Sequence, residues 1–219
     1  MRSRVLLPLG ALVGASVWCV ALLAVRVHTF GSGGYRYLVW NLTLAWVPFL
    51  FSLLLLVAYR RRHSAVELVA IGAAWLVFLP NAPYMLTDFI HLGTTHRLVD
   101  SFVLASFAFT ALALGFASLL LVQLVVTRAA GALAGWLVAF GALFLSSIGM
   151  YLGRVQRLNS WDVLQRPRLV ADIARARLDD PFGNPHLLLF VLAVSGTLIL
   201  AYLGIYAISA LAASVRPER

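Results

Sequence analysis

The chain has 219 residues, of which 62% are hydrophobic and only 11% charged, against about 25% charged in a soluble domain. A water-soluble fold of this size cannot hide so much apolar surface, so the solvent is lipid and one transmembrane domain, residues 1–219, is expected. The formal charge of +9 comes from 17 basic residues, all arginines, set in short segments between apolar runs; that pattern reads as anchoring beside anionic lipid headgroups, and no nucleic-acid partner is expected.

The first apolar run, 5–25, follows Arg2 and Arg4. It exceeds the roughly 7–15 residues of a signal-peptide core and is long enough to cross a bilayer. It reads as a retained first helix. A second run covers 38–58 and ends at Arg60-Arg61-Arg62, the densest basic cluster. With Arg2 and Arg4, this cluster favours an N-terminus in the cytoplasm. The third run, 65–80, enters Pro80-Asn81-Ala82-Pro83-Tyr84. Proline lacks a backbone N–H and disfavours the α conformation in the residue before it, so the helix is expected to break there. A broken backbone at membrane depth survives only when buried in protein or lining a wet cavity. Residues 84–92 would then supply a short half-helix, re-entrant or interfacial.

Two further runs cover 101–126 and 131–152. The long connection 154–186 carries six arginines and four aspartates. Within it, 166–180 is expected to form a short amphipathic helix with Leu169, Val170, Ile173 and Ala174 on one face and Asp172 and Arg175 away from it, suited to the headgroup layer. Pro181-Phe182-Gly183-Asn184-Pro185 turns the chain into the last run, 187–211. The pairs Gly10/Gly14, Gly131/Gly135 and Gly149/Gly153 have the small-xxx-small spacing of close helix packing. Cys19 is the sole cysteine, which excludes an internal disulfide and a cysteine metal cluster. The fold class is therefore all-α: a polytopic integral membrane protein of the cell membrane, a bundle of about six transmembrane helices with a proline-broken third.

Parity of the spans gathers the polar residues. Two spans separate Pro80–His91 from Arg154–Asp162, so both segments open on one face, and the second span begins there too. The candidate ligand-binding set is Asn41, Asn81, Tyr84, Asp88, His91, Arg154, Arg157, Asn159, Trp161 and Asp162, with Thr87, His96, Asp100 and Ser160 on the same face. Asp88 and His91 are three apart and share a side of a helical turn. Three readings stand for them: acid–base or metal chemistry, a helix start capped by Thr87 or Asp88, and a buried network in which Asp88 or Asp162 meets Arg154. No metal is expected; Asp88, His91 and His96 are only weak candidates, since paired histidines at helical spacing are missing. Asn81, between two prolines, is suited to satisfying backbone groups orphaned by the break. Ser146 and Ser147 read as back-bonded helix serines, and His28, His63 and His186 as lone interfacial residues. No phosphate-binding loop, dinucleotide fingerprint or nucleophile elbow is present, and no cofactor is implied.

At Leu79-Pro80-Asn81-Ala82-Pro83-Tyr84, Thr87-Asp88 and His91-Leu92 the chain resembles a bacterial family of multi-pass membrane proteins known as a domain of unknown function, number 1361. Asn41-Leu42-Thr43-Leu44-Ala45-Trp46-Val47-Pro48 and Arg157-Leu158-Asn159-Ser160-Trp161-Asp162 look like its other two recurrent blocks. The resemblance implies a membrane fold and brings no activity. The function expected is binding, or a transport-like role, for a small polar or lipid-headgroup ligand at one membrane face. The alternatives are a membrane-embedded hydrolase or transferase using Asp88 and His91, and an assembly factor for a partner protein.

Overall fold

The computed structural model describes residues 2–31, 34–179 and 183–214, which leaves Pro181 and Phe182 of the expected turn outside the described residues. It comprises α1 (Arg2–Phe30), a 3-10 turn (Gly34–Arg36), α2 (Tyr37–Arg60), α3 (Ala65–Phe78), α4 (Asn81–Tyr84), a 3-10 segment (Met85–His91), α5 (Arg97–Ala130), α6 (Ala132–Val155), α7 (Asp162–Gln165), α8 (Pro167–Asp179) and α9 (Pro185–Ser214). Among the described residues six helical runs are long and apolar enough to cross a membrane, and the third of them extends from Ala65 through the proline break to His91. The protein is thus an all-α, multi-pass membrane protein whose solvent is a lipid bilayer. The chain divides into two compact units, 1–136 and 137–219, with α6 crossing the boundary.

In the first unit α5 is the central element. The long helices α1 and α2 and the short α4 pack on it, and α2 also packs on α3. The core contains Leu38, Leu42, Ala45, Ala82, Met85, Val103, Leu104, Phe107 and Leu114. Without a hydrophobic drive between helices in lipid, polar bonds and close packing specify the contacts. Trp46 Nε1 donates to Ser16 Oγ on α1 at 3.2 Å, Trp75 Nε1 to Ser118 Oγ on α5 at 3.2 Å, and Cys19 Sγ lies 3.2 Å from Thr110 Oγ1. A Cβ built on Gly115 of α5 would stand 2.8 Å from the Ala82 Cβ, so this glycine is what lets α4 lie against α5.

The glycine pairs divide. Gly10 and Gly14 have no neighbour within 4 Å of a built Cβ, whereas Gly135 is closed in by the Thr127 side chain and the Gln123 carbonyl. Gly131, at φ +92°, ends α5 in a conformation glycine adopts at no steric cost.

The break at Pro80 takes a different form from the one expected. Leu79 stays right-handed helical at φ −54°, ψ −39°, as does Pro80 at φ −57°, ψ −23°. What changes is hydrogen bonding. Pro83 cannot serve the Leu79 carbonyl, so Ala82 N–H takes it at 3.1 Å. The Phe78 carbonyl, which Ala82 would otherwise serve, accepts the Asn81 side-chain amide at 2.9 Å. The chain then tightens into the 3-10 segment, which carries Thr87, Asp88 and His91. Burial of Ala82, Pro83 and Met85 holds this path, so tertiary packing overrides the local preference of a residue preceding proline.

At its far end α2 closes in a Schellman turn: His63 N–H donates to the Ala58 carbonyl at 3.1 Å and Arg62 N–H to the Tyr59 carbonyl at 3.1 Å. Arg62 sits at φ 57°, where glycine is the usual residue. His63 is not alone there, since its Nδ1 lies 3.0 Å from Glu67 Oε2, and Ser64 and Glu67 form a reciprocal capping box for α3.

In the second unit, Asn184 accepts the Leu187 N–H at 3.0 Å and so caps α9. Its amide donates to the Tyr151 hydroxyl at 3.2 Å, and the Tyr151 and Phe190 rings meet edge to face at 5.7 Å. Ser147 donates back to the Phe144 carbonyl at 2.6 Å. Ser146 is buried and its hydroxyl has no partner among the described residues, so only one of the two serines is back-bonded.

Candidate functional site

The most concentrated polar chemistry in the first unit lies where α1 ends, α2 begins and α5 begins. Arg26, one turn before the end of α1, meets Asp100 in the first turn of α5. Arg26 Nε donates to Asp100 Oδ1 at 2.8 Å and Nη2 to Oδ2 at 3.3 Å, a side-on bidentate pair. Arg26 Nη1 donates to the Gly31 carbonyl at 3.2 Å. Both side chains are buried, at 8% and 3% relative exposure. An unpaired charge at such a place is costly, so each residue holds the other in position.

Tyr35 closes the arrangement. Its hydroxyl lies 3.2 Å from Asp100 Oδ2 and 3.1 Å from the His91 carbonyl, sharing its one proton between these acceptors. It accepts the Gly93 N–H at 3.1 Å, and the Arg26 guanidinium stands 5.0 Å from the centre of its ring. One phenol therefore ties the 3-10 turn before α2 to the segment after the proline break and to α5. Above this floor opens a cavity of about 440 Å³ lined by Arg26, Tyr35, Tyr37, His91, His96 and Asp100, with Gly34, Gly93 and Thr95 completing its wall. The His96 ring stacks on Phe30 at 4.1 Å. The His91 ring sits edge-on to Tyr37 at 5.6 Å.

Asn41 on α2 donates from Nδ2 to Asp88 Oδ2 at 3.1 Å, so the start of the second span and the post-proline segment do share a face. Asp88 is buried at 1% exposure. The expected helix cap is not formed by these residues: the Thr87 hydroxyl donates back to the Tyr84 carbonyl at 2.7 Å, and neither the 3-10 segment nor α5 has a side-chain cap. Asn81 faces the Phe78 carbonyl, as described, and Tyr84 ends α4. Among the described residues no group of three or more His, Cys, Asp or Glu is arranged to hold a metal.

The remaining candidates belong to the second unit. Asp162 is buried and organises its own turn: Oδ2 accepts the Asn159 N–H at 2.7 Å, the Asp162 N–H returns to the Asn159 carbonyl at 2.9 Å, and Arg166 Nε lies 3.7 Å from Oδ1. Arg157 adopts φ 55° in the turn that ends α6. Arg154 stands in the last turn of α6, and Trp161 immediately precedes α7.

Sequence reasoning passed over Arg26, Tyr35 and Tyr37. A single arginine at the end of an apolar run looks like an anchor, and its partner is 74 residues away. The available signal was parity, because the end of the first span, with Arg26, and the start of the fourth, with Asp100 as its one carboxylate, fall on one face.

No curated protein and no solved structure matches the chain. The model of a family described as protein of unknown function (DUF1361) matches residues 40–201, most of the chain, and the chain belongs to that family.

Proposed function

We propose that the protein binds a small polar or lipid-headgroup ligand in the cavity between the ends of α1, α2 and α5. The observation that carries this reading is the cavity itself: about 440 Å³, with a buried ion pair in its floor and two imidazoles in its wall. That volume falls within the range of about 300–1,000 Å³ typical of ligand sites. Buried charge beside an open space at a membrane face is a functional arrangement by default. His91 and His96 belong to this site, and Asn41 with Asp88 braces the segment that carries His91. With the N-terminus in the cytoplasm, as the Arg60–Arg62 cluster favours, the cavity opens to the opposite side of a bacterial cell membrane.

Gly93 provides the test. A Cβ there would lie 3.7 Å from both Asp100 Oδ2 and the Tyr35 hydroxyl, an ordinary contact, so a larger side chain enters the cavity without a backbone clash. Native mass spectrometry of the wild type in mild detergent is expected to show a bound small molecule or lipid that Gly93→Leu loses while keeping its fold. Equal adduct patterns in the two proteins would refute a ligand at this place.

A further inference from the structure

We infer that the ligand of this cavity carries a singly charged oxyanion, a phosphodiester or a carboxylate, that accepts from the N–H bonds Arg26 has to spare; this rests on the ligand-binding reading above. A guanidinium has five N–H bonds in a fixed fork. Three nitrogens make one bond each here, to Asp100 Oδ1, Asp100 Oδ2 and the Gly31 carbonyl. Two N–H bonds are left without a partner among the described residues, on a side chain that is 8% exposed and lines the cavity. Leaving such donors unmet in a buried place is costly, and an oxyanion is the acceptor whose geometry fits a guanidinium edge.

The surroundings agree. Among the described residues the His96 ring stacks on Phe30, interacts electrostatically with Asp100 and makes no hydrogen bond, so its ring nitrogens are available to the cavity it lines. It also stands at the start of α5, whose first turn has no side-chain cap; a helix of 34 residues presents the positive end of its dipole there. Asp100 limits the net charge of the ligand. It cancels Arg26, so no net positive charge is left to offset the desolvation of a dianion, which grows with the square of the charge while attraction to the guanidinium grows only linearly. The same chemistry is offered by a phospholipid headgroup and by a free organic anion.

The test uses the full-length protein in dodecylmaltoside micelles, with binding read by thermal unfolding and calorimetry. Soluble probes are glycerophosphoglycerol, acetate, choline chloride and inorganic phosphate at pH 8; lipid probes are phosphatidylglycerol and uncharged diacylglycerol. Glycerophosphoglycerol or acetate raising the unfolding temperature supports the inference with a free anion as source. A response to phosphatidylglycerol alone supports it with a lipid headgroup as source. In either case Arg26→Lys is expected to weaken binding about 10-fold or more, and His96→Ala about 5-fold, from the loss of one charged or neutral hydrogen bond. His96→Ala leaves the ion pair intact, so it decides the matter if Arg26→Lys does not fold. Tighter binding of inorganic phosphate at pH 8 than of the monoanions overturns the assignment of single charge. A response to choline or diacylglycerol equal to that of the anions, abolished by Gly93→Leu, overturns the oxyanion and leaves the ligand site standing. No response to any probe, together with identical adducts in wild type and Gly93→Leu, overturns both.

Discussion

The Arg26–Asp100 pair makes a quantitative prediction about what joins α1 to α5. Arg26→Met removes the guanidinium and leaves the Asp100 carboxylate with the Tyr35 hydroxyl at 3.2 Å as its remaining bonded partner. Asp100→Asn removes the opposite charge at constant shape and leaves a buried cation beside an amide. Two charge-assisted hydrogen bonds are lost or weakened in each case, at about 1.5–3 kcal/mol apiece, and the orphaned charge remains buried. Breaking a buried pair from one side costs about 3–5 kcal/mol, and with 8% and 3% exposure this site belongs to that class. The double variant contains no unpaired charge, and the thioether side chain put in place of Arg26 would pack on the Tyr35 ring that the guanidinium now covers at 5.0 Å. Its total cost is expected at about 2 kcal/mol, less than either single change, which implies a coupling energy of at least about 4 kcal/mol. Reversible unfolding by sodium dodecyl sulfate titration in mixed micelles, followed by tryptophan fluorescence, measures all four corners of the cycle. Single variants costing under about 0.5 kcal/mol, with additive effects, would show a pair that behaves like an exposed one, and the account of the α1–α5 junction would fall.

Two further predictions concern backbone geometry. Gly115→Ala places a methyl 2.8 Å from the Ala82 Cβ, well inside the contact distance of about 3.5–4.0 Å, and is expected to destabilise by about 1–3 kcal/mol through overpacking; adding Ala82→Gly should restore most of the loss, and no rescue in the same titration would mean that α4 does not need this glycine. Arg62→Gly relieves a left-handed residue in the Schellman turn after α2 and is expected to stabilise by about 1 kcal/mol, seen as a higher unfolding temperature; a lower one would show that the Arg62 side chain contributes more than its backbone conformation costs.

How much of this was legible in the sequence depends on the range of the physics involved. The spans were legible because the thickness of hydrocarbon dictates the length of an apolar run, so composition along the chain reports them directly. The disturbance at Pro80 and Pro83 was legible for a similar reason: a missing N–H is a property of the residue itself. Its form was not, because the choice between leaving the helix and tightening into a 3-10 path is made by Gly115 and the buried neighbours of Ala82, distant in the chain. The role of Asn81 lay between these cases, since a side-chain amide three residues beyond an orphaned carbonyl can reach it locally. Arg26 shows the limit most clearly. Taken alone it is indistinguishable from Arg2 or Arg128, an arginine at the end of an apolar run. Only pairing changes its meaning, and pairing across 74 residues is invisible to windows and motifs. Parity supplies the missing step. A lone arginine and a lone aspartate at span ends on one face are each expensive to bury, and that expense is lifted only where they meet. The meeting point then fixes which three helix ends converge, and so where a polar cavity can form in a chain with little polarity to spare.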